Sequence, residues 1–356
     1  MPPLGVTSPS FIYACTRFRI RRTALLPRED YLRLMRMSIP EIVTHLGRRE
    51  EYAQEITDLL HDFTGAQLIE EAVNRSLARS FRNARAIAPG DLQTLAREYL
   101  TRWDIANVMV TLRGTVHNIP RQQVRDLLIP AGEIDHALLD RLLSFTTCGE
   151  AIVALQDWRL YPVLAESYRI CGEKGVFALI ENELYRHYYA GLLNPGRSGC
   201  SGCRELNAYL RFEIDITNMK NLLRLHCERE ACDLAAIDQT MIPGGRIPIS
   251  RFKRLYGIET EGEFVSAFLE TDIAPVLAQA IRDIHQRQRP IHEVEMAVTR
   301  SRLHRLESLS RRHPFSVLPV LAYLERKKYE VANLRAIARG KAFGLPIERM
   351  WQYIVL

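Results

Sequence analysis

The sequence predicts an all-α protein built from three related helical modules. Three observations predict it. A ten-residue pattern recurs three times at near-equal spacing, starting at residues 104, 215 and 330, which are 111 and 115 residues apart. Glycine is sparse (19 of 356 residues) and long stretches lack turn residues altogether. Strand-like alternation of apolar and polar residues is rare. Self-similarity at a fixed period over most of a chain is the mark of an internal repeat.

The copies are Asp104-Ile-Ala-Asn107 through Leu112-Arg113, Asp215-Ile-Thr-Asn218 through Leu223-Arg224, and Glu330-Val-Ala-Asn333 through Ala338-Arg339. The pattern makes sense as a helix. At about 100° per residue its second, fifth and ninth positions fall within about 60° of one another. Those positions are Ile105, Val108 and Leu112, then Ile216, Met219 and Leu223, then Val331, Leu334 and Ala338, all apolar. Each copy therefore carries a narrow buried stripe, with the acid and Asn on one rim and Arg on the other. Asn is a poor helix former, so placing it in mid-helix three times predicts that its amide bonds something specific. A helix-to-helix or helix-to-loop hydrogen bond at the edge of a core is the reading taken, over a reactive site repeated three times.

In chain order, Phe11 to Leu25 enters the first module, and Pro27 opens a short helix through Tyr31 and Leu34. Pro40 opens the next, with Ser38 near its cap. Tyr52, Ile56, Leu59 and Phe63 recur at helical spacing, and residues 66–84 and 91–113 continue in the same style. The second module begins near Pro120, carries one face on Leu138, Leu142 and Phe145, and a longer one on Val176, Ile180, Leu184, Tyr188 and Leu192. Asn194 to Gly202 is the most loop-like segment. The third module follows Pro243-Gly-Gly245, with Phe264, Phe268, Val276 and Ile281 at helical spacing, then a helix over 291–311 that Pro314 stops. The expected boundaries are 1–119, 120–240 and 241–356. Ile129-Pro-Ala-Gly132, Ile242-Pro-Gly-Gly245 and Gly344-Leu-Pro346 read as punctuation before a new helix.

Composition bounds function. Apolar residues make up 47% and charged residues 25%, as in folded soluble proteins, and the net charge of +6 permits an acidic partner, nucleic acid or an anionic membrane surface. No signal peptide and no membrane-length apolar span is read, and seven Cys without a secretory signal predict reduced thiols. Gly340-Lys341 is not a phosphate loop, because Arg335 and Ala342 stand where Gly and Ser or Thr are needed. No dinucleotide fingerprint follows a strand. Cys200-Ser-Gly-Cys203, with His226, Cys227 and Cys232 beyond, is a weak zinc or redox signal, because the intervening helix would carry the ligands apart. The ten His are scattered. No catalytic, cofactor-binding or metal-ligating residue is assigned. Arg282 to Arg312 holds eight Arg against four acids, which reads as a solvated face or one that meets an acidic partner. A helical nucleic-acid-binding protein using this third module is the alternative reading, although no aromatic residue interleaves the Arg.

Several motifs in order resemble a known family. Tyr13-Ala-Cys-Thr-Arg17-Phe-Arg19, Tyr99 to Asn107 with Leu112-Arg113, Asp215 to Asn218 with Leu223-Arg224 and Ile242-Pro-Gly-Gly245, and Asn333-Leu-Arg335 with Gly340-Lys341 and Gly344-Leu-Pro346 are similar to the C subunit of the archaeal and bacterial A/V-type ATP synthases, the counterpart of the d subunit of the vacuolar proton pump. The resemblance spans about residues 11–356, and Cys200-Ser-Gly-Cys203 departs from it. It implies a funnel of three pseudo-symmetric helical modules without catalytic residues. Such a protein would sit peripherally on the cytoplasmic face of the membrane, between the proteolipid rotor ring and the central-shaft subunits D and F. It would couple ion flow to ATP synthesis, or ATP hydrolysis to pumping. Under that reading, Asp104, Asn107, Arg113, Asp215, Asn218, Arg224, Glu330, Asn333 and Arg339 are structural, and the positive charge of Arg282 to Arg312 meets acidic loops or lipid head groups.

Overall fold

The computed structural model describes residues 9–87, 90–172, 177–194, 203–227, 234–256 and 291–356. Every regular element among them is a helix. The protein is all-α, as the sparse glycine and helical periodicity predict. Two compact units are formed, one from residues 1–96 and 299–356 and one from residues 97–298. The first unit therefore joins the two ends of the chain.

In that unit lie α1 (Pro9–Thr23), α2 (Arg28–Arg36), α3 (Ile39–Gly47), α4 (Glu50–Leu59) and α5 (Gly65–Ile87). Pro27 precedes α2, whose Tyr31 and Leu34 are buried. The start of α3 is a capping box in which the Ser38 backbone N–H donates to Glu41 Oε2 at 2.7 Å, with Pro40 in the first turn. Tyr52, Ile56 and Leu59 are buried on α4 as expected, but the helix stops at Leu59 and Phe63 lies beyond it. Gly65, at φ +63°, reverses the chain there, a backbone shape glycine takes without a Cβ penalty.

The far end of the chain supplies the hub of this unit. α15 (Ile291–Arg312) is followed, after His313-Pro314, by α16 (Leu318–Ala342) and α17 (Ile347–Gln352). α16 is buried on several sides, with α5, α1, α2, α3 and α17 packed around it. Its apolar opening, Leu318 to Leu324, is therefore a core segment. Phe18 of α1 meets Tyr323 at a ring separation of 5.6 Å, and Cys15 Sγ donates to the Ser316 carbonyl at 3.2 Å.

α6 (Gly90–Val116) carries the first repeat copy, and residues 97 onward of it belong to the second unit. There follow α7 (Arg121–Arg125), α8 (His136–Leu142), α9 (Cys148–Val153), α10 (Tyr161–Cys171), α11 (Phe177–Leu192), α12 (Cys203–Cys227), α13 (Leu234–Thr240) and α14 (Ile249–Tyr256). α12 holds the second copy. Ile180, Leu184, Tyr188 and Leu192 of α11 are buried as expected. On α8 Leu142 is buried as expected, but its buried partner is Leu139 rather than Leu138, whose N–H donates to the Asp135 cap. Val176, Phe264, Phe268, Val276, Ile281 and the Asn194–Gly202 loop beyond Asn194 lie outside the described residues.

Candidate functional site: the acid and asparagine latches

Each repeated Asn bonds the backbone of a loop that follows its own helix. Asn107 Nδ2 donates to the Ile129 carbonyl at 2.8 Å, and the Ile129 N–H donates to Asn107 Oδ1 at 2.9 Å. Asn218 does the same with Ile242, at 2.8 and 2.7 Å. Asn333 does it with Val355, at 2.8 and 2.9 Å. The separations along the chain are 22, 24 and 22 residues. A side-chain amide is the one neutral group that imitates a strand neighbour, with a donor and an acceptor side by side. It gives a single extended residue both of the bonds that a β-ladder would have given.

The acid closes the latch one turn away. Asp104 Oδ2 accepts from the Glu133 N–H at 2.8 Å and Oδ1 from the Ile134 N–H at 3.1 Å. Asp215 accepts from Arg246 at 3.1 Å and Ile247 at 3.0 Å. The two glycines in Ile129-Pro-Ala-Gly132 and Ile242-Pro-Gly-Gly245 are what allow this. A Cβ built on Gly132 would lie well under 3.0 Å from all three carboxyl atoms of Asp104, and one on Gly245 would crowd Asp215 Oδ1. These Ile-Pro-x-Gly segments are thus the receiving half of the latch as well as punctuation. Burial pushes the Asp215 carboxyl up to about 6, against the pull of its two backbone donors.

The latch residues do not rim the core; they are inside it. Asp104, Asn107, Asp215, Asn218, Glu330 and Asn333 are all buried, together with the apolar stripe residues that the structure describes. A rim position would leave these groups to water. Full pairing lets them be buried instead, which widens each stripe into a nearly all-round buried helix.

The third copy uses its acid differently. Glu330 instead accepts from the Leu26 N–H at 2.6 Å and from the Tyr52 hydroxyl, and lies 3.0 Å from Lys327 Nζ. Lys327 is fully buried, donates to the Tyr52 hydroxyl at 2.9 Å and sits 4.1 Å from the centre of its ring. Burial and then the Glu330 charge hold the Tyr52 hydroxyl well above its usual range, so it stays a donor. The acid that ties a following loop to its helix in the first two copies here ties α16 to the N-terminal segments of the same unit.

The repeated Arg residues lie further out. Arg113 pairs with Glu181 at 2.5 Å and Arg339 with Glu70 at 2.6 Å, both partly exposed, and the Arg224 side chain lies outside the described residues. Sequence reasoning missed a second buried charge pair. Arg102 makes a two-pronged contact with Glu213, at 2.6 and 3.0 Å, and also donates to the Tyr99 and Tyr188 hydroxyls. Burial alone would lower the guanidinium pKa, but Glu213 and the tyrosines hold it well above the usual value. The pair is 111 residues apart, the repeat spacing itself, so equivalent positions of copies one and two meet. That spacing was the available signal. A buried pair of this kind adds little net stability, but removing one partner is costly because the other charge is left buried.

Cys203 corrects the expectation of reduced thiols. It is buried and disulfide-bonded, whereas Cys15, Cys148 and Cys171 are free thiols. Composition and compartment arguments do not reveal which thiols the fold brings together. Gly340 meets Met350, whose Cγ and Sδ would stand 2.6 Å from a Cβ there, so that glycine serves helix packing. Among the described residues, no group of three or more potential metal ligands occurs, and no helix is long and apolar enough to cross a membrane.

A family model described as ATP synthase (C/AC39) subunit matches residues 14–353. The C subunit of the A-type ATP synthase of Haloferax volcanii is 33% identical over 346 residues, 97% of this chain and 97% of that one. Its counterpart in Methanosarcina mazei is 32% identical over 352 residues, covering 98% and 94%. That of Archaeoglobus fulgidus is 30% identical over 348 residues, covering 98% and 96%.

Proposed function

The chain belongs to the ATP synthase (C/AC39) subunit family, and from that premise we propose that it is a non-catalytic central-stalk component of an A/V-type rotary ATP synthase. It would seat on the membrane proteolipid ring at the cytoplasmic face, receive the shaft subunits D and F, and pass torque between them. Three pseudo-symmetric modules, 1–119, 120–240 and 241–356, arranged as a funnel would suit that place.

The observation that carries this reading is the use of the repeated polar residues. A torque adapter must hold its helices in fixed register under load, and the repeated acids and amides are bonded to the chain's own backbone rather than turned to a ligand. Groups committed in this way are unavailable as acids, bases or ligands. Purification of the tagged protein from gently solubilised membranes tests the proposal. Co-recovery of the ring proteolipid with the shaft and catalytic subunits is expected. An intact ATP synthase that purifies without this chain, or retention of the chain on nucleic acid alone, would overturn it.

A further inference from the structure

We propose that the outer face of α1, with the adjoining turn between α15 and α16, docks onto a carboxylate-bearing surface of another protein subunit of the complex. This deepens the functional reading above and rests on it.

The face is unlike the rest of the surface. The first 28 residues contain five Arg and no acidic residue. On α1, Ala14, Cys15 and Phe18 are buried, and the opposite side shows Ile12, Tyr13, Arg17, Arg19 and Ile20 to solvent. Tyr13 is 57% exposed and Ile20 63%. Scattered apolar residues on a surface need no explanation, but three within nine residues of one face, interleaved with Arg, form a patch. The patch continues across the unit. The carbonyl that Cys15 reaches belongs to Ser316, beside the exposed Phe315. Arg311 and Arg312 end α15, and both are exposed. Arg22, half-buried, feels Arg19, Arg311 and Arg326, with Glu307 as the opposing charge. Glu307 is already paired with Arg326. Arg17, Arg19, Arg311 and Arg312 have no carboxylate at ion-pair distance among the described residues.

The chemistry favours a protein over a lipid surface. The apolar side of α1 is spent on the core, so what remains outside is too mixed to enter a bilayer as an interfacial helix does. Arg with Tyr, Ile and Phe, and without Lys, is the composition of protein interface centres, and the guanidinium fork matches a carboxylate in two bonds. The anchor is also pre-organised. Arg17 Nη1 donates to the Tyr13 hydroxyl at 2.9 Å, with the guanidinium 5.5 Å from the ring centre, so less side-chain freedom is lost on binding.

Two measurements on the assembled complex test this. Tyr13 is replaced by the photo-cross-linker p-benzoylphenylalanine, the complex is irradiated, and the adduct is mapped. An adduct to an Asp- or Glu-bearing segment of another subunit is expected. An adduct to lipid only, to residues 1–8 of this chain only, or none at all from a complex that contains this chain, would overturn the proposal. In parallel, R17E/R19E is compared with R48E/R82E, a charge-matched change at exposed residues of the same unit. Recovery of R17E/R19E with the catalytic subunits should fall by about tenfold or more, and that of the control should match wild type. Equal recovery of both variants overturns the docking face and leaves the functional reading standing. Loss of the wild-type chain from the complex overturns both.

Discussion

Replacing Gly132 with Ala should break the first latch. The new Cβ would stand well under 3.0 Å from Oδ1, Oδ2 and Cγ of Asp104 at once, so no rotation of the carboxylate relieves the clash and the loop must withdraw. Withdrawal stretches the Glu133 and Ile134 N–H bonds, now 2.8 and 3.1 Å. Bonds to a charged acceptor contribute about 1.5–3 kcal/mol each. The loss of glycine's freedom in the unfolded chain returns about 0.4–1 kcal/mol. A net cost of about 2–5 kcal/mol follows from those two figures. At Gly245 the crowding falls on Asp215 Oδ1, with Cγ at 3.2 Å, so a turn of the carboxylate relieves part of it and G245A should cost less. Gly149, in the first turn of α9 with nothing within 4 Å of its added Cβ, is the control, and G149A should gain about 0.5–1 kcal/mol. Urea unfolding gives the order G132A below G245A below wild type below G149A. Native-state hydrogen exchange localises it, because the amides of Glu133 and Ile134 should lose protection in G132A alone. A G132A protein as stable as wild type, with those two amides still protected, would refute the reasoning.

Three further outcomes are expected. Asn333→Ala removes both bonds to Val355 and should cost about 2 kcal/mol at about 1 kcal/mol per bond; the Val355 amide should then lose hydrogen-exchange protection, and unchanged protection would count against the latch. Lys327→Met leaves Glu330 buried without its counter-charge and should cost about 3–5 kcal/mol, whereas K327M/E330Q should recover much of that in thermal melts. For Asp215 the folded value of about 6 lies above the usual 3.8, so the folded state holds the proton more tightly. Its contribution to stability is full below pH 3.8 and is lost as pH rises through 6, so the stability of wild type relative to D215N should fall across that window and level off above it. A relative stability that rises over the same window would show the backbone donors overriding burial.

The helices were legible because their signals are local. Pro27, Ser38 with Glu41, and the 3.6-residue spacing on α4 and α11 each act within a turn or two, and the structure places helices there. The Asn signal was legible for a similar reason. A residue that opposes its own helix in three places must be repaid by something outside that helix. Its partner was harder to read, because the bonding atoms are backbone and carry no residue identity. Ile129 and Ile242 are each followed by Pro, whereas Val355 is followed by Leu356. Only the separations of 22, 24 and 22 residues unite the three. The Arg102–Glu213 pair was opaque in another way. Neither residue is unusual where it stands, and both become informative once the copies are overlaid.

The donors that each acid meets explain why the third copy carries Glu where the others carry Asp. Asp104 and Asp215 reach two successive N–H groups of a loop that returns against the helix, and Gly132 and Gly245 bring that backbone close enough for the short side chain. In the third copy the donors are the Leu26 N–H between α1 and α2, the Tyr52 hydroxyl on α4, and Lys327 one turn earlier on α16 itself. The first two lie across a helix-packing gap, and the extra methylene of Glu spans it. E330D should therefore be far from conservative. It shortens the reach to three donors at once and leaves Lys327, fully buried, with only the more distant Glu51 carboxylate at 3.8 Å. D104E, by contrast, lengthens a side chain already pressed against Gly132 and should fail by crowding rather than by lost contact. Thermal melts of the two variants with their rescuing partners separate these causes. A shorter donor-side group cannot restore E330D, whereas K327M should lessen its cost by removing the stranded charge. If K327M instead adds its full cost to that of E330D, the charge was never stranded, and the reach argument fails.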